Sequence, residues 1–210
     1  MKSIIFDLDG TLWNACDTIC EAWNTRLSQL GVGKTLIPAD FYGGMGLLID
    51  DIARLLLPEL EPEEAGRIAR DCARFECGPL REKGGRLYPG VEETIRELAR
   101  GYELLIVSNC GHGYIESFFA AHGLGEYFLD YEYAERTGKS KGENIRLIAE
   151  RNGLSSPVYV GDTAGDMAAA GAAGVDFIHA AYGFGEAPGA GIHISSPKEL
   201  LDIFTERGME

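Results

Sequence analysis

Apolar positions in this chain recur with two different periods, and the switch between them divides it. Residues 3–8, "SIIFDL", are rich in β-branched and aromatic side chains without alternation, which predicts a strand covered on both faces within a parallel sheet. Ala15, Ile19, Trp23, Leu27 and Leu30 then repeat at helical spacing until Gly31 interrupts them. Helical stretches follow at 47–57, ended by Pro58, and at 62–76, where Ala65, Ala69, Cys72 and Phe75 share one side. From Trp13 to about Gly85 the pattern predicts helices alone.

After "GGRLYPG" strand and helix alternate. Val91, Ile95 and Leu98 form a helix stripe closed by Gly101, and "YELLIVS" (102–108) reads as a buried strand. A helix at 114–122, a strand at 129–133 and a helix at 142–152 stopped by Gly153 come next. The strand "PVYVG" (157–161), a small-residue helix at 164–173, the strand "DFIHAA" (176–181) and a helix from Pro197 complete the chain. Ser196, Pro197 and Glu199 have the spacing of an N-cap, a first-position proline and a capping-box acid for that last helix. Such alternation predicts an α/β fold with a Rossmann-like parallel sheet and helices on both faces. Residues 1–14 and about 86–210 are the expected core domain, with an inserted all-α helical domain at 15–85. The Gly-rich segment 182–191, "YGFGEAPGAG", is expected to be a surface loop. Neither it nor "GGMG" (43–46) fits a dinucleotide-binding fingerprint.

Length and composition narrow the partners. A chain of 210 residues can bury one good core and a modest second one. The formal net charge of −14 repels polyphosphates, which argues against nucleic acid and anionic membranes and favours a small substrate. Cys16, Cys20, Cys72, Cys77 and Cys110 contain no CxxC pair, so free thiols of a reducing compartment are expected, with Cys16 and Cys20 in the core. The N-terminus lacks signal-peptide features and no apolar run approaches spanning length, which points to a cytoplasmic protein, as a monomer or homodimer.

In an open parallel sheet, ligands bind beyond the carboxyl ends of the strands. The first strand ends in Asp7, Asp9 and Thr11, the second in Ser108 and Asn109, and the third in "GDTAGD", carrying Asp162 and Asp166. The helix before that third strand opens with "GKSKGEN", carrying Lys139 and Lys141. Four carboxylates in one small volume raise each other's pKa unless a cation joins them. All-oxygen donors without clustered His or Cys select a hard ion, and Mg²⁺ suits a site shared with a phosphate. A lysine and a hydroxyl then serve as donors to phosphoryl oxygens. His112, His122, His179 and His193 match no ligand spacing, though His112 lies close enough after Ser108 to touch a substrate. Trp13 and Trp23 fit either a core or a cavity wall.

These residues resemble a known family. "DLDGT" after an N-terminal strand, a strand-ending Ser in "SN", a helix-opening lysine and "GDTAGD" closing a later strand are similar to the haloacid dehalogenase (HAD) superfamily of phosphohydrolases. The likeness spans the whole chain, and the helical insertion sits where that family has its first type of cap. The resemblance implies that Asp7 is the nucleophile and forms an aspartyl phosphate, and that Asp9 protonates the leaving oxygen and later deprotonates water. It also implies Mg²⁺ bound by the Asp7 carboxylate, the Asp9 main-chain carbonyl and Asp162, with Asp166 direct or through water. Ser108 and a lysine would hold the phosphoryl oxygens, with Thr11 and Asn109 on the substrate side. The lysine of that family usually precedes Pro; here Lys139 precedes Ser140 and Lys141 precedes Gly142, and the helix-opening Lys141 is favoured. Asn14 stands where many members carry Asp.

The activity implied is a Mg²⁺-dependent phosphatase for a small phosphomonoester of the phosphoglycolate or sugar-phosphate class. A phosphomutase of the β-phosphoglucomutase type is the alternative, but its loop commonly has another residue at the Thr11 position. A non-catalytic phospho-acceptor module has no use for a general acid at Asp9, and the dehalogenase branch lacks that carboxylate.

Overall fold

The computed structural model describes residues 3–207. Strand β1 (Ser3–Phe6) leads through a tight loop into β2 (Trp13–Asn14), and helices α1 (Cys16–Gln29), α2 (Ile49–Leu56) and α3 (Pro62–Lys83) follow. The chain returns in β3 (Arg86–Leu87), which pairs antiparallel with β2, Trp13 opposite Leu87 and Asn14 opposite Arg86. The segment expected to be helical throughout is therefore bounded by a two-stranded clasp. Its strands are two residues each, too short to show a period. Just before α1, Asn14 Oδ1 accepts the Cys16 N–H at 3.0 Å, which satisfies one of the donors left free at the start of that helix.

The rest alternates α4 (Val91–Leu98), β4 (Glu103–Ser108), α5 (Tyr114–His122), β5 (Phe128–Tyr133), the single turn α6 (Ala134–Thr137) and α7 (Lys141–Arg151). Then come β6 (Val158–Gly161), α8 (Ala164–Ala173), β7 (Asp176–Ala180), β8 (His193–Ile194) and α9 (Glu199–Arg207). Six strands form one parallel sheet in the order β5-β4-β1-β6-β7-β8. The sequence predicts five of these; β8 is only two residues, recruited to the edge by β7. The chain builds outward from β1 through β4 and β5, then crosses to build β6, β7 and β8 on the other side. The carboxyl end of β1 is thus a topological switch point, where a crevice opens.

Both faces of the sheet are covered. Ile4 and Phe6 face a large cluster with Val91 and Ile95 of α4, Phe118 of α5 and Phe204 of α9. Ile5, Leu105, Val107 and Tyr159 face Ile145 and Ile148 of α7 and Ala170 of α8. The first cluster runs without a break into the insertion through Trp13, Trp23, Phe41, Leu56 and Cys72. Cys16 and Cys20 are buried in it, and all five cysteines are free thiols. Helix α3 continues past the expected end at Glu76 to Lys83, through Pro79. Burial of Leu80, and packing on α1, α2 and α5, offset the hydrogen bond that Pro79 cannot donate. The last helix starts at Glu199, two residues later than its proline suggests. Residues 196–198 form a turn, and the Glu199 carboxylate accepts the Ser195 N–H at 3.2 Å. Among the described residues, no helix is long and apolar enough to cross a membrane.

Candidate active site

The loop after β1 is built around Leu8 and Gly10. The Leu8 carbonyl accepts the N–H groups of Thr11, Leu12 and Trp13, and Gly10 N–H donates to the Trp13 carbonyl at 2.9 Å. Gly10 holds φ +80°, and a Cβ there would lie 2.1 Å from Asp162 Oδ2. Glycine is therefore demanded twice, by the backbone and by the neighbour. Gly10→Ala should lose about 1–2 kcal/mol for the left-handed backbone and about 1 kcal/mol more for the displaced Asp162 hydrogen bond. The check is a lower urea midpoint at unchanged slope; an unchanged midpoint would contradict this packing.

This loop and the ends of β6 and α7 bring three carboxylates together. Oxygens of Asp7, Asp162 and Asp166 lie within 4.8 Å of one another, and each residue is 1% exposed. Lys141, the first residue of α7, points its ammonium into the group, 3.1 Å from Asp7 Oδ1 and 2.6 Å from Asp166 Oδ1. Close helix packing allows that reach, because a Cβ at Gly142 would meet the Ala169 carbonyl of α8 at 3.0 Å. Lys139 is exposed, with its main chain bonded to Thr137. Asp166 also closes a capping box on α8, its Oδ2 accepting Thr163 N–H at 3.0 Å and Thr163 Oγ at 2.7 Å.

Electrostatics divide the carboxylates. Burial pushes Asp7 well above the usual carboxylate range; Lys141 pulls it down, while Asp166, Asp162 and Asp9 push it further up. Burial and the Asp166 charge raise Asp162 to about 7. Asp166 is lowered, since Lys141 and Thr163 outweigh its burial. Burial works against the Lys141 ammonium, but Asp166 and Asp7 more than offset it. Burial raises Asp9 to about 6, against hydrogen bonding from Tyr114. Tyr114 of α5 donates its hydroxyl to Asp9 Oδ1 at 2.7 Å and is wedged edge-on against Trp13. Asp7 Oδ2 and Asp162 Oδ1 are buried with no hydrogen-bond partner among the described residues. Unmet anionic acceptors beside an all-oxygen donor set fit a hard divalent cation such as Mg²⁺.

A cavity of about 550 Å³ opens above the sheet, lined by Asp9, Ser108, Asn109, Tyr114 and the inner side of the insertion. Asn109 Nδ2 donates to the Gly46 carbonyl at 2.8 Å, tying the sheet end to the insertion. Thr11 is fully buried and its hydroxyl has no partner among the described residues. His112 lines the cavity with Nδ1 held 2.7 Å from the Tyr133 hydroxyl. Trp23 is in the wall, whereas Trp13 is fully buried among Tyr114, Phe118 and His122.

The Gly-rich segment 182–191 departs from the surface-loop expectation. Its first residues are pressed into the site. Phe184 N–H donates to Asp162 Oδ2 at 2.7 Å, and the Tyr182 hydroxyl donates to the Thr11 carbonyl at 2.9 Å. A Cβ at Gly183 would sit 2.3 Å from Asp162 Cβ and 2.4 Å from the Gly10 carbonyl. Gly10 and Gly183, far apart in sequence, thus both make room for one aspartate. The sequence signal was the glycine spacing itself, which marks close backbone approach.

Comparisons with known proteins show the family and the fold. A family profile described as haloacid dehalogenase-like hydrolase matches residues 4–180. A phosphoglycolate phosphatase of Cereibacter sphaeroides is 32% identical, over 90% of this chain and 88% of the relative. Among solved structures, a predicted phosphoglycolate phosphatase of Haemophilus somnus superposes with TM-score 0.84 at 22% identity, covering 97% of this chain and 98% of that one. CbbY of Rhodobacter sphaeroides, in complex with xylulose-(1,5)bisphosphate, superposes with TM-score 0.78 at 21% identity, covering 94% and 95%. The two solved structures share the fold.

Proposed function

The chain belongs to the haloacid dehalogenase-like hydrolase family and is a phosphomonoester hydrolase, and from that premise we propose a Mg²⁺-dependent phosphatase working through an aspartyl phosphate on Asp7. Its substrate would be a small phosphorylated metabolite of the phosphoglycolate or sugar-phosphate class. The observation that carries this reading is the buried group of Asp7, Asp162 and Asp166 with the Lys141 ammonium among them. Asp7, the main-chain carbonyl of Asp9 and Asp162 would hold Mg²⁺. Both oxygens of Asp166 already accept hydrogen bonds, so it would reach the ion through water. When bound, the ion would neutralise the carboxylates and the phosphoryl charge.

An Asp7 oxygen attacks phosphorus, and the bond to the leaving oxygen breaks as that oxygen takes the proton held by Asp9. Water then attacks the aspartyl phosphate, giving its proton to Asp9, and phosphate leaves with Asp7 restored. An acid of pKa about 6 can play both parts near neutrality. The Ser108 hydroxyl and Lys141 ammonium steady the phosphoryl oxygens, while Thr11 and Asn109 keep the loop and the sheet end in place around them. Residues 15–85 would act as a cap on a core of 1–14 and 86–210, closing over bound substrate.

Phosphate release from p-nitrophenyl phosphate should require Mg²⁺ and stop with EDTA; full turnover in EDTA would remove the metal role. Stability should follow suit. Asp9 and Asp162 have folded pKa values raised above their unfolded ones, so without metal the folded state holds extra protons. The melting temperature should then fall as pH rises from about 4 through 7. Mg²⁺ at a hundred times its Kd adds about 2.7 kcal/mol, roughly 5–10 °C for a chain this size. The gain should be greater at pH 8 than at pH 5, because the ligands must be deprotonated.

A further inference from the structure

The mechanism leaves one buried acid unused. Glu76 projects from α3 of the insertion into the cavity over Asp9 and is 6% exposed. Its Oε2 accepts the Trp23 indole N–H, while Oε1 has no hydrogen-bond partner among the described residues. The wall around it is apolar, with Ile19, Trp23, Phe41 and Met45. Burial pushes the Glu76 carboxyl up to about 8, the Trp23 bond pulls it down and the Asp9 charge adds to the rise. At neutral pH it is a carboxylic acid, able to donate one hydrogen bond and accept another. A polar group placed in an apolar wall costs free energy unless a partner arrives.

Position says which partner. If Asp9 protonates the leaving oxygen, the carbon chain attached to that oxygen begins at Asp9 and runs into the cavity, where Glu76 is the buried acid of the insertion's wall. A hydroxyl there can accept from Glu76 or donate to it.

Resting on the phosphatase reading above, we propose that Glu76 is a specificity-determining residue that hydrogen-bonds a hydroxyl of the leaving alcohol. It thereby selects polyol and sugar phosphates over monoesters with a hydrocarbon tail. The test compares kcat/KM for glycerol 1-phosphate and propyl phosphate, with Mg²⁺ present, in the wild type, Glu76→Gln and Glu76→Leu. The wild type should favour glycerol 1-phosphate over propyl phosphate by about tenfold or more. Glu76→Gln, which can still donate and accept, should keep most of that ratio; Glu76→Leu should reduce it to near unity. Each ratio is taken within one variant, so a general loss of folded protein cancels. A ratio unchanged in Glu76→Leu, or no preference for the hydroxylated ester in the wild type, would overturn the proposal. Absence of Mg²⁺-dependent phosphate release from both esters and from p-nitrophenyl phosphate is a different result, and it would overturn the phosphatase reading as well.

Discussion

Asp7→Asn should lower phosphate release by at least about a thousandfold, which corresponds to about 4 kcal/mol of transition-state stabilisation. The amide keeps the shape of the side chain but has no anionic oxygen with which to attack phosphorus. Its effect on stability runs the other way. The Asp7 carboxyl is raised because burial and three neighbouring carboxylates outweigh the pull of Lys141, so its ionised form opposes folding at neutral pH. A neutral amide removes that opposition. In EDTA, the variant should melt at the same temperature as the wild type or higher at pH 8, and the difference should vanish toward pH 4, where both side chains are neutral. Turnover within tenfold of the wild type would remove Asp7 as nucleophile. A lower melting temperature at pH 8 would mean that the ion pair with Lys141 outweighs burial.

Lys141→Ala should do the most damage of any change to a cation. Its ammonium is buried between Asp7 and Asp166, and removing one partner of a buried pair typically costs about 3–5 kcal/mol because the other charge stays behind. The loss should show as a lower urea midpoint, partly restored by Mg²⁺. A phosphoryl-oxygen donor also goes, with an expected fall in kcat of about a hundredfold to a thousandfold. Lys139→Ala, at an exposed position with no ion pair among the described residues, should change kcat less than threefold, on the usual scale of surface substitutions. The reverse order of effects would transfer the phosphoryl-binding role to Lys139.

Much of this architecture is legible in local patterns. A short apolar run without alternation, rich in β-branched and aromatic residues, fits a strand covered on both faces, and in "SIIFDL" it delivers Asp7 to the end of a central strand. The same reasoning applies to β4 with Ser108 and β6 with Asp162. Period alone does not report two-residue strands such as β2, β3 and β8, which exist only because a neighbour pairs with them. Nor does it show that α3 outlasts Pro79, since packing on three other helices decides that.

Side-chain direction is the other limit. Tyr114 reads as one more aromatic on an amphipathic helix, yet it donates to Asp9 across 105 positions of sequence. Glu76 reads as a polar residue at the end of a helix stripe, yet it is the acid in the cavity wall. Gly183 and Phe184 read as loop, yet they shape and bind Asp162.

By itself the sequence determined the α/β alternation, the helical insertion and which strand ends carry acids, because those depend on spacing along a backbone whose periods are set by its own geometry. Tertiary structure alone decided that Lys141 rather than Lys139 stands among the acids, that Tyr114 grips Asp9, and that the Gly-rich segment closes on Asp162. Those contacts join residues far apart in the chain, and their energies depend on distance and burial, which no local pattern encodes.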